Sequence, residues 1–259
     1  MNISFEYSRK VYNTKAAKEV IPFIYEIIKP GSVIDVGCGI GTWLKVFHED
    51  YGIDDILGLD APYLKKEQFL IDYQYFKETD LSIPFSLNRN YDLLLCLEVA
   101  EHLPKSAAES FISSLCAHSD TILFSAAIPG QSGEGHINEQ WPDYWNKLFN
   151  NLGYLRYDLV RPYIWFNEEV DVWYRQNIFL FSKKKCFSKV NSPYIATYVH
   201  PEFWEIKTKL LTDKTRELKK IRNGELSFKM VFKIFFLFFS SRLKRLRKRL
   251  INIIKKITT

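Results

Sequence analysis

The sequence predicts an α/β fold: a doubly wound, mostly parallel sheet with an antiparallel hairpin at one edge and a helical tail at the C-terminus. Three observations carry this. Short apolar runs alternate with amphipathic stretches from residue 14 to residue 154, the pattern that builds parallel sheets through helical crossovers. One run, YDLLLCL at 91–97, is apolar at nearly every position, which suits a strand covered on both faces. The stretch VIDVGCGIG sets glycines where a strand turns into a helix, a place where the backbone needs unusual φ angles.

The elements follow in order. Residues 14–28 have helical spacing, and KPGS at 29–32 ends them with Pro and Gly. VIDVGCG is the first strand and its turn, TWLKVFHED the next helix, and DILGLD at 55–60 a second strand ending in an acid. QYFKETD (74–80) reads as a third, weaker strand and YDLLLCL as the fourth. A helix at 106–118, a strand at 121–129 and a Trp-rich helix at 140–154 follow. RPYIWF (161–166) and QNIFLFS (176–182) are too close for a crossover helix, so they are expected to pair as the antiparallel hairpin. The expected divisions are an N-terminal helical segment at 1–29, the α/β domain at 30–185, a linker at 186–204 and a basic amphipathic tail at 205–259.

Composition narrows the class. A hydrophobic share of 47% over 259 residues supports a sizeable core and excludes a disordered chain. From residue 201 onward there are 17 Lys and Arg against 5 Asp and Glu, a balance of +12, which leaves −6 for the first 200 residues. An anionic partner would therefore be met by the tail. The four cysteines show no metal-finger spacing and read as reduced thiols of a cytoplasmic protein. No secretory leader is evident, and IFFLFF at 234–239 is far shorter than the roughly 20 residues of a spanning helix.

The glycine loop IDVGCGIGTWL carries Asp35, Gly37, Gly39 and Gly41, and departs from the dinucleotide fingerprint by placing Thr42 where a third glycine would stand. Asp60, 19 residues beyond Gly41, ends the next strand, where a carboxylate can accept hydrogen bonds from both ribose hydroxyls of a nucleoside. The order DVGCGIG, LGLD, TDL and YDLLLCLEVAEHL resembles the class I S-adenosylmethionine-dependent methyltransferases, with their Rossmann-like domain, over residues from about 30 to 185. The resemblance implies S-adenosylmethionine as cofactor, with Gly37, Gly39 and Gly41 lining its loop and Asp35 facing its methionine amino group. It further implies Asp60 on the ribose, Asp80 and Leu81 on the adenine, and Glu98 beside the methionine moiety and the acceptor.

The stretch LEVAEHL clusters Glu98, Glu101 and His102 just past the fourth strand. If a helical turn starts at Glu98, the three share one face and can hold a divalent ion with positions left open. This ExxEH pattern is similar to that of metal-assisted O-methyltransferases, the small-RNA 2′-O-methyltransferases and the ubiquinone-pathway enzymes. In the RNA enzymes a further histidine follows the fifth strand, and here GHINEQW offers His136. The resemblance thus implies Mg2+ or Mn2+ on Glu98, Glu101, His102 and His136. Without a metal, Glu101, His102 and His136 act on the acceptor directly. Trp141, Tyr144, Trp145, Tyr163, Trp165, Trp173 and Tyr174 are candidates for an acceptor-stacking wall, and Arg175 and Gln176 for polar acceptor contacts.

The tail after Ser241 spaces apolar residues for one helix face and fills the other with Lys and Arg, which suits an anionic membrane interface. The function expected is O-methylation of a polar, hydroxyl-bearing acceptor such as a saccharide or glycan precursor, by a cytoplasmic enzyme peripheral to the inner membrane face. Two alternatives stand beside it: an RNA 2′-O-methyltransferase, disfavoured by the acidic body, and a non-catalytic cofactor-binding module. The sequence does not fix the oligomeric state.

Overall fold

The computed structural model describes residues 13–62, 66–183 and 199–225, with Val231, Phe232, Phe235, Phe236 and Phe239. The chain divides into two units, Met1–Trp204 and Glu205–Thr259. Cys186, most of the expected linker and the tail beyond residue 239 lie outside the described residues.

In the first unit the expected alternation is present. Helix α1 (Lys15–Ile28) precedes β1 (Ser32–Val36), α2 (Thr42–Tyr51), β2 (Asp55–Asp60), β3 (Phe76–Glu78) and β4 (Leu93–Leu97). Then come α3 (Ala108–Cys116), β5 (Thr121–Ser125), α4 (Pro142–Asn151), β6 (Leu155–Tyr157), α5 (Val160–Ile164), α6 (Val172–Asn177) and β7 (Phe179–Ser182). The seven strands run in the order β3-β2-β1-β4-β5-β7-β6. All neighbours are parallel except β7, which is antiparallel to both β5 and β6.

Side chains alternate across the sheet as its period of two requires. Val33, Leu93, Leu95, Leu123 and Leu180 pack on one face with α1 and α2, where Ala17, Val20, Ile24, Leu44 and Phe47 are buried. Ile34, Leu94, Cys96, Ile122, Phe124 and Phe181 pack on the other with α3 and α4. The apolar run at 93–97 is buried at every position because both of its faces are covered.

One element differs from expectation. RPYIWF is no strand: Val160–Ile164 is a helix, and the antiparallel partner of β7 is the shorter β6. Pro162 lies in the first turn of α5, where its missing N–H would have had no helical partner. The helix also turns Arg161, wholly buried, back onto Asp158, to which its Nε donates at 2.8 Å.

A further helix, α7 (Pro201–Arg222), begins beside the first unit's core. The His200 amide donates to Gln176 Oε1 at 2.6 Å, Arg175 pairs with Glu202 at 2.5 Å, and Phe203 is buried. Among the described residues no helix is long and apolar enough to cross a membrane.

The strand order reverses between β1 and β4, and the carboxyl ends of these strands open the crevice where such sheets bind ligands. Both motifs singled out from sequence lie there.

Candidate active site

At the end of β1 the chain turns through Gly37, Gly39 and Gly41, with φ of 86°, 53° and 82°. The amides of Gly37 and Cys38 donate to the Leu59 carbonyl at 2.7 and 3.1 Å, tying the turn to β2. A Cβ on Gly37 would lie 2.3 Å from a Val99 methyl, and one on Gly41 would lie 2.8 Å from Ile71. A side chain at either position would have to displace Val99 or Ile71, and the positive φ would strain it further.

Asp60 closes the loop from β2: Oδ2 accepts from the Gly39 amide and Oδ1 from the Ala61 amide, both at 2.8 Å. Burial nonetheless pushes its pKa up. Asp35 is buried, and its Oδ2 has no hydrogen-bond partner among the described residues. Burial first and the charge of Asp60 second push the Asp35 carboxyl up to about 8. A buried acid with an orphaned oxygen beside a half-buried one suits a ligand that brings positive charge and hydroxyl donors. S-adenosylmethionine, with its ammonium, sulfonium and ribose diol, is such a ligand. Asp80 is more exposed, and its Oδ1 accepts from the amide and hydroxyl of Ser82 at 2.9 and 2.6 Å. Leu81 is buried in the core beside Tyr91.

At the end of β4 the expected helical turn does not begin at Glu98. That residue has φ of 55°, and only Ala100–His102 form a short 3-10 turn. The Glu98 amide bonds Ser125 on β5 through both the carbonyl, at 3.0 Å, and the hydroxyl, at 3.1 Å, which turns the chain away from a helical start. As a result Glu98 does not share a helical face with Glu101 and His102. The ligand atoms that converge are those of Glu101, His102 and His136, all within 4.8 Å of one another, and Glu98 is not in this set. Its carboxylate instead accepts from Gln131 Nε2 at 2.8 Å and Asn177 Nδ2 at 3.1 Å, and Asn177 also donates to Gln131 Oε1 at 2.9 Å.

Glu101 is wholly buried, and no hydrogen bond of good geometry reaches its carboxylate oxygens, although the backbone amides of Glu101 and Ala127 and the Glu98 carboxyl lie close. Burial, then the charge of Glu98, pushes its pKa well above the carboxylate range. His102 is pulled down to about 4 by burial, with His136 adding to the effect. The two imidazoles meet edge to face, with centroids 4.9 Å apart. The loop after β5 is pinned to this turn by the amides of Ile137 and Asn138, which donate to the Glu101 carbonyl at 2.9 and 3.0 Å. His136 Nδ1 lies 2.8 Å from Glu139 Oε1. Burial raises the Glu139 pKa, but hydrogen bonds from His136, Gly130 and Ser132 outweigh it and hold the carboxyl below its usual range.

The aromatic wall is dispersed. Trp145 is buried against Phe124, Tyr163 stacks on Phe23, Trp165 packs on His200, and Tyr174 meets Trp43. Trp141 and Ile137, flanking the cluster in sequence, remain exposed. Arg175 and Gln176 are engaged by Glu202 and His200. Sequence reading missed Gln131 and Asn177, which stand 33 and 79 residues from Glu98 and share no spacing with it.

No curated protein sequence matches the chain. Among solved structures it is similar to the methyltransferase domain of bacterial CtHen1, at 17% identity over 66% of this chain and 100% of that one, with a TM-score of 0.46. It is similar also to magnesium protoporphyrin IX methyltransferase from Synechocystis PCC 6803 with bound SAM, at 19% identity over 66% of this chain and 79% of that one, with a TM-score of 0.47. A third is a SAM-bound amino pentose methyltransferase from Micromonospora echinaspora, at 12% identity over 71% and 100%, with a TM-score of 0.49. The family model described as a methyltransferase domain matches residues 7–165, from ahead of α1 to the end of α5. The chain belongs to the methyltransferase-domain family and is a class I S-adenosylmethionine-dependent methyltransferase.

Proposed function

We propose that this methyltransferase is a metal-assisted O-methyltransferase of polar, hydroxyl-bearing acceptors, a saccharide or glycan precursor. The observation that carries the reading is the convergence of Glu101, His102 and His136 within 4.8 Å around a buried carboxylate that has no well-formed hydrogen bond. A buried carboxylate beside two imidazoles is a donor set for Mg2+ or Mn2+, and a cation relieves the desolvation that the buried Glu101 suffers. When bound, the ion supplies a Lewis acid that lowers the pKa of an acceptor hydroxyl.

In this reading Asp35, Gly37, Gly39, Gly41 and Asp60 hold the methionine and ribose of the cofactor, and Asp80 and Leu81 flank its adenine. Glu98, fixed by Gln131 and Asn177, lies beside the methionine moiety and leaves the metal to the other three. The cofactor's sulfonium supplies an activated methyl, so the chain's main task is alignment. Exposed Ile137 and Trp141 offer a platform for an acceptor ring at the mouth of the cluster.

The test is methyl transfer with and without EDTA across saccharide, RNA and quinone-precursor acceptors, followed by mass spectrometry. Loss of transfer in chelator, recovery with Mg2+ or Mn2+, and a methylene gain on saccharides are expected. Full activity in excess chelator contradicts the metal, and transfer to RNA alone contradicts the acceptor class.

The tail is proposed to rest on an anionic membrane surface at the cytoplasmic side. Its balance of +12 supports this, as do exposed Phe232, Phe235, Phe236 and Phe239, spaced for one helical face. Co-sedimentation of the full chain with anionic liposomes, lost in a chain ending at Trp204, is the expected result; equal binding by both contradicts it.

A further inference from the structure

His136 is gripped from one side and given room on the other, by two residues outside the ligand set. Glu139 is the grip. Its Oε2 accepts from the Gly130 amide at 2.7 Å and its Oε1 from the Ser132 amide at 2.6 Å, so both oxygens already serve as acceptors. Oε1 also lies 2.8 Å from His136 Nδ1. A carboxylate held as an acceptor by two backbone donors can share that contact only if the imidazole nitrogen carries the hydrogen.

Gly133 provides the room. A Cβ on this glycine would lie 2.2 Å from His136 Nε2, 2.6 Å from Cε1 and 2.7 Å from Cδ2. These three distances place the added atom over the face of the ring near Nε2, so the imidazole lies where it does because residue 133 has no side chain. Gly133 is not among the residues of positive φ, so its backbone accepts any residue and the ring alone excludes a methyl group.

We propose that Glu139 and Gly133 are positioning residues that set His136 for its part in the cluster, Glu139 fixing the proton on Nδ1 and Gly133 giving the ring the room to lie where it does. The lone pair of the neutral ring then stands at Nε2, the nitrogen not engaged by Glu139. The usefulness of that lone pair rests on the metal-assisted reading above; the tautomer itself does not. Partners that hold the remote N–H of a ligating histidine typically contribute about 10–100-fold to metal affinity.

The experiment uses the full chain labelled with [15N]histidine, long-range proton–nitrogen spectra of the imidazoles, and Mn2+ titration. In the wild type His136 is expected to be protonated at Nδ1. Glu139→Ala should shift the ring towards the Nε2-protonated form, with Glu139→Gln, which keeps one acceptor oxygen, intermediate. Gly133→Ala should displace the ring and, like Glu139→Ala, weaken Mn2+ by about 10–100-fold. S-adenosylhomocysteine affinity, measured by calorimetry, should be unchanged and report that the variants are folded. An Nε2-protonated His136 in the wild type, or wild-type Mn2+ affinity in both alanine variants, overturns the proposal. If the wild type binds no Mn2+, the metal reading fails, and the wild-type tautomer still decides whether Glu139 fixes the proton on Nδ1.

Discussion

The carboxyl ends of β1 and β4 are neighbours in the sheet, and each buries acids, yet they handle the charge differently. At β1 and β2 the backbone answers one acid, Asp60, which accepts two amides beside the glycine turn, while Asp35 keeps Oδ2 without a partner among the described residues. At β4 side chains answer one acid and leave the other. Glu98 accepts from Gln131 and Asn177, while Glu101, three residues on, has no well-formed hydrogen bond to its carboxylate. Backbone donors are supplied by chain conformation and are largely insensitive to which side chains surround them. A buried acid without a well-formed hydrogen bond, Asp35 as much as Glu101, is a demand for a cation or a proton. In the proposed reading each half keeps one acid for a cationic partner, Asp35 for the cofactor and Glu101 for a metal, and the halves differ in what fixes the second acid: backbone amides for Asp60, side-chain amides for Glu98.

The sharpest way to break that division is at Glu101. Glu101→Gln or His102→Ala is expected to lower methyl transfer by about 10²–10⁴-fold, the usual range for loss of activation of a reacting group. Cofactor affinity by calorimetry should stay near wild type. A matching fall in cofactor affinity would merge the two halves into one.

Next in size is Gly37→Ala. It sets a methyl 2.3 Å from Val99 at a positive φ, and is expected to cost about 1–3 kcal/mol in denaturant unfolding and to weaken the cofactor as well. Unchanged stability would show that the turn is less constrained than its geometry indicates.

A smaller effect sharpens the β1 half. Asp35 holds its proton up to a pH of about 8, and a cationic ligand favours the ionised form. Binding below that pH therefore releases a proton, and affinity for S-adenosylmethionine should rise by up to about tenfold per pH unit until it levels above about 8. Asp35→Asn should flatten the slope, which calorimetry in buffers of different ionisation enthalpy would resolve. The smallest effect is at the tail: a chain ending at Trp204 should turn over a water-soluble acceptor as the full chain does.

How much of this was legible follows the same division. The glycine loop, Asp35 and Asp60 are contiguous or one strand apart, and their spacing carries the geometry. The acids of LEVAEHL were visible as a cluster, but the sequence implied one helical face for three of them. The positive φ of Glu98, set by its bonds to Ser125 on the neighbouring strand, is a tertiary effect that no local pattern records. Gln131 and Asn177 were hidden for the same reason. RPYIWF misled because an aromatic run so short fits either period, and Pro162, which a strand interior excludes, was the cue that favoured a helix start. The helical face expected after Ser241 lies outside the described residues, and of the tail only its charge is read directly from the sequence.

The central claim is that three residues, and not Glu98, hold a divalent ion beside the cofactor. Anomalous diffraction from crystals grown with Mn2+ and S-adenosylhomocysteine tests it most directly. The account predicts one manganese peak ligated by Glu101, His102 and His136, with Glu98 still bonded to Gln131 and Asn177. A cluster without manganese, or a peak that draws Glu98 off its amides and into the coordination sphere, would contradict it.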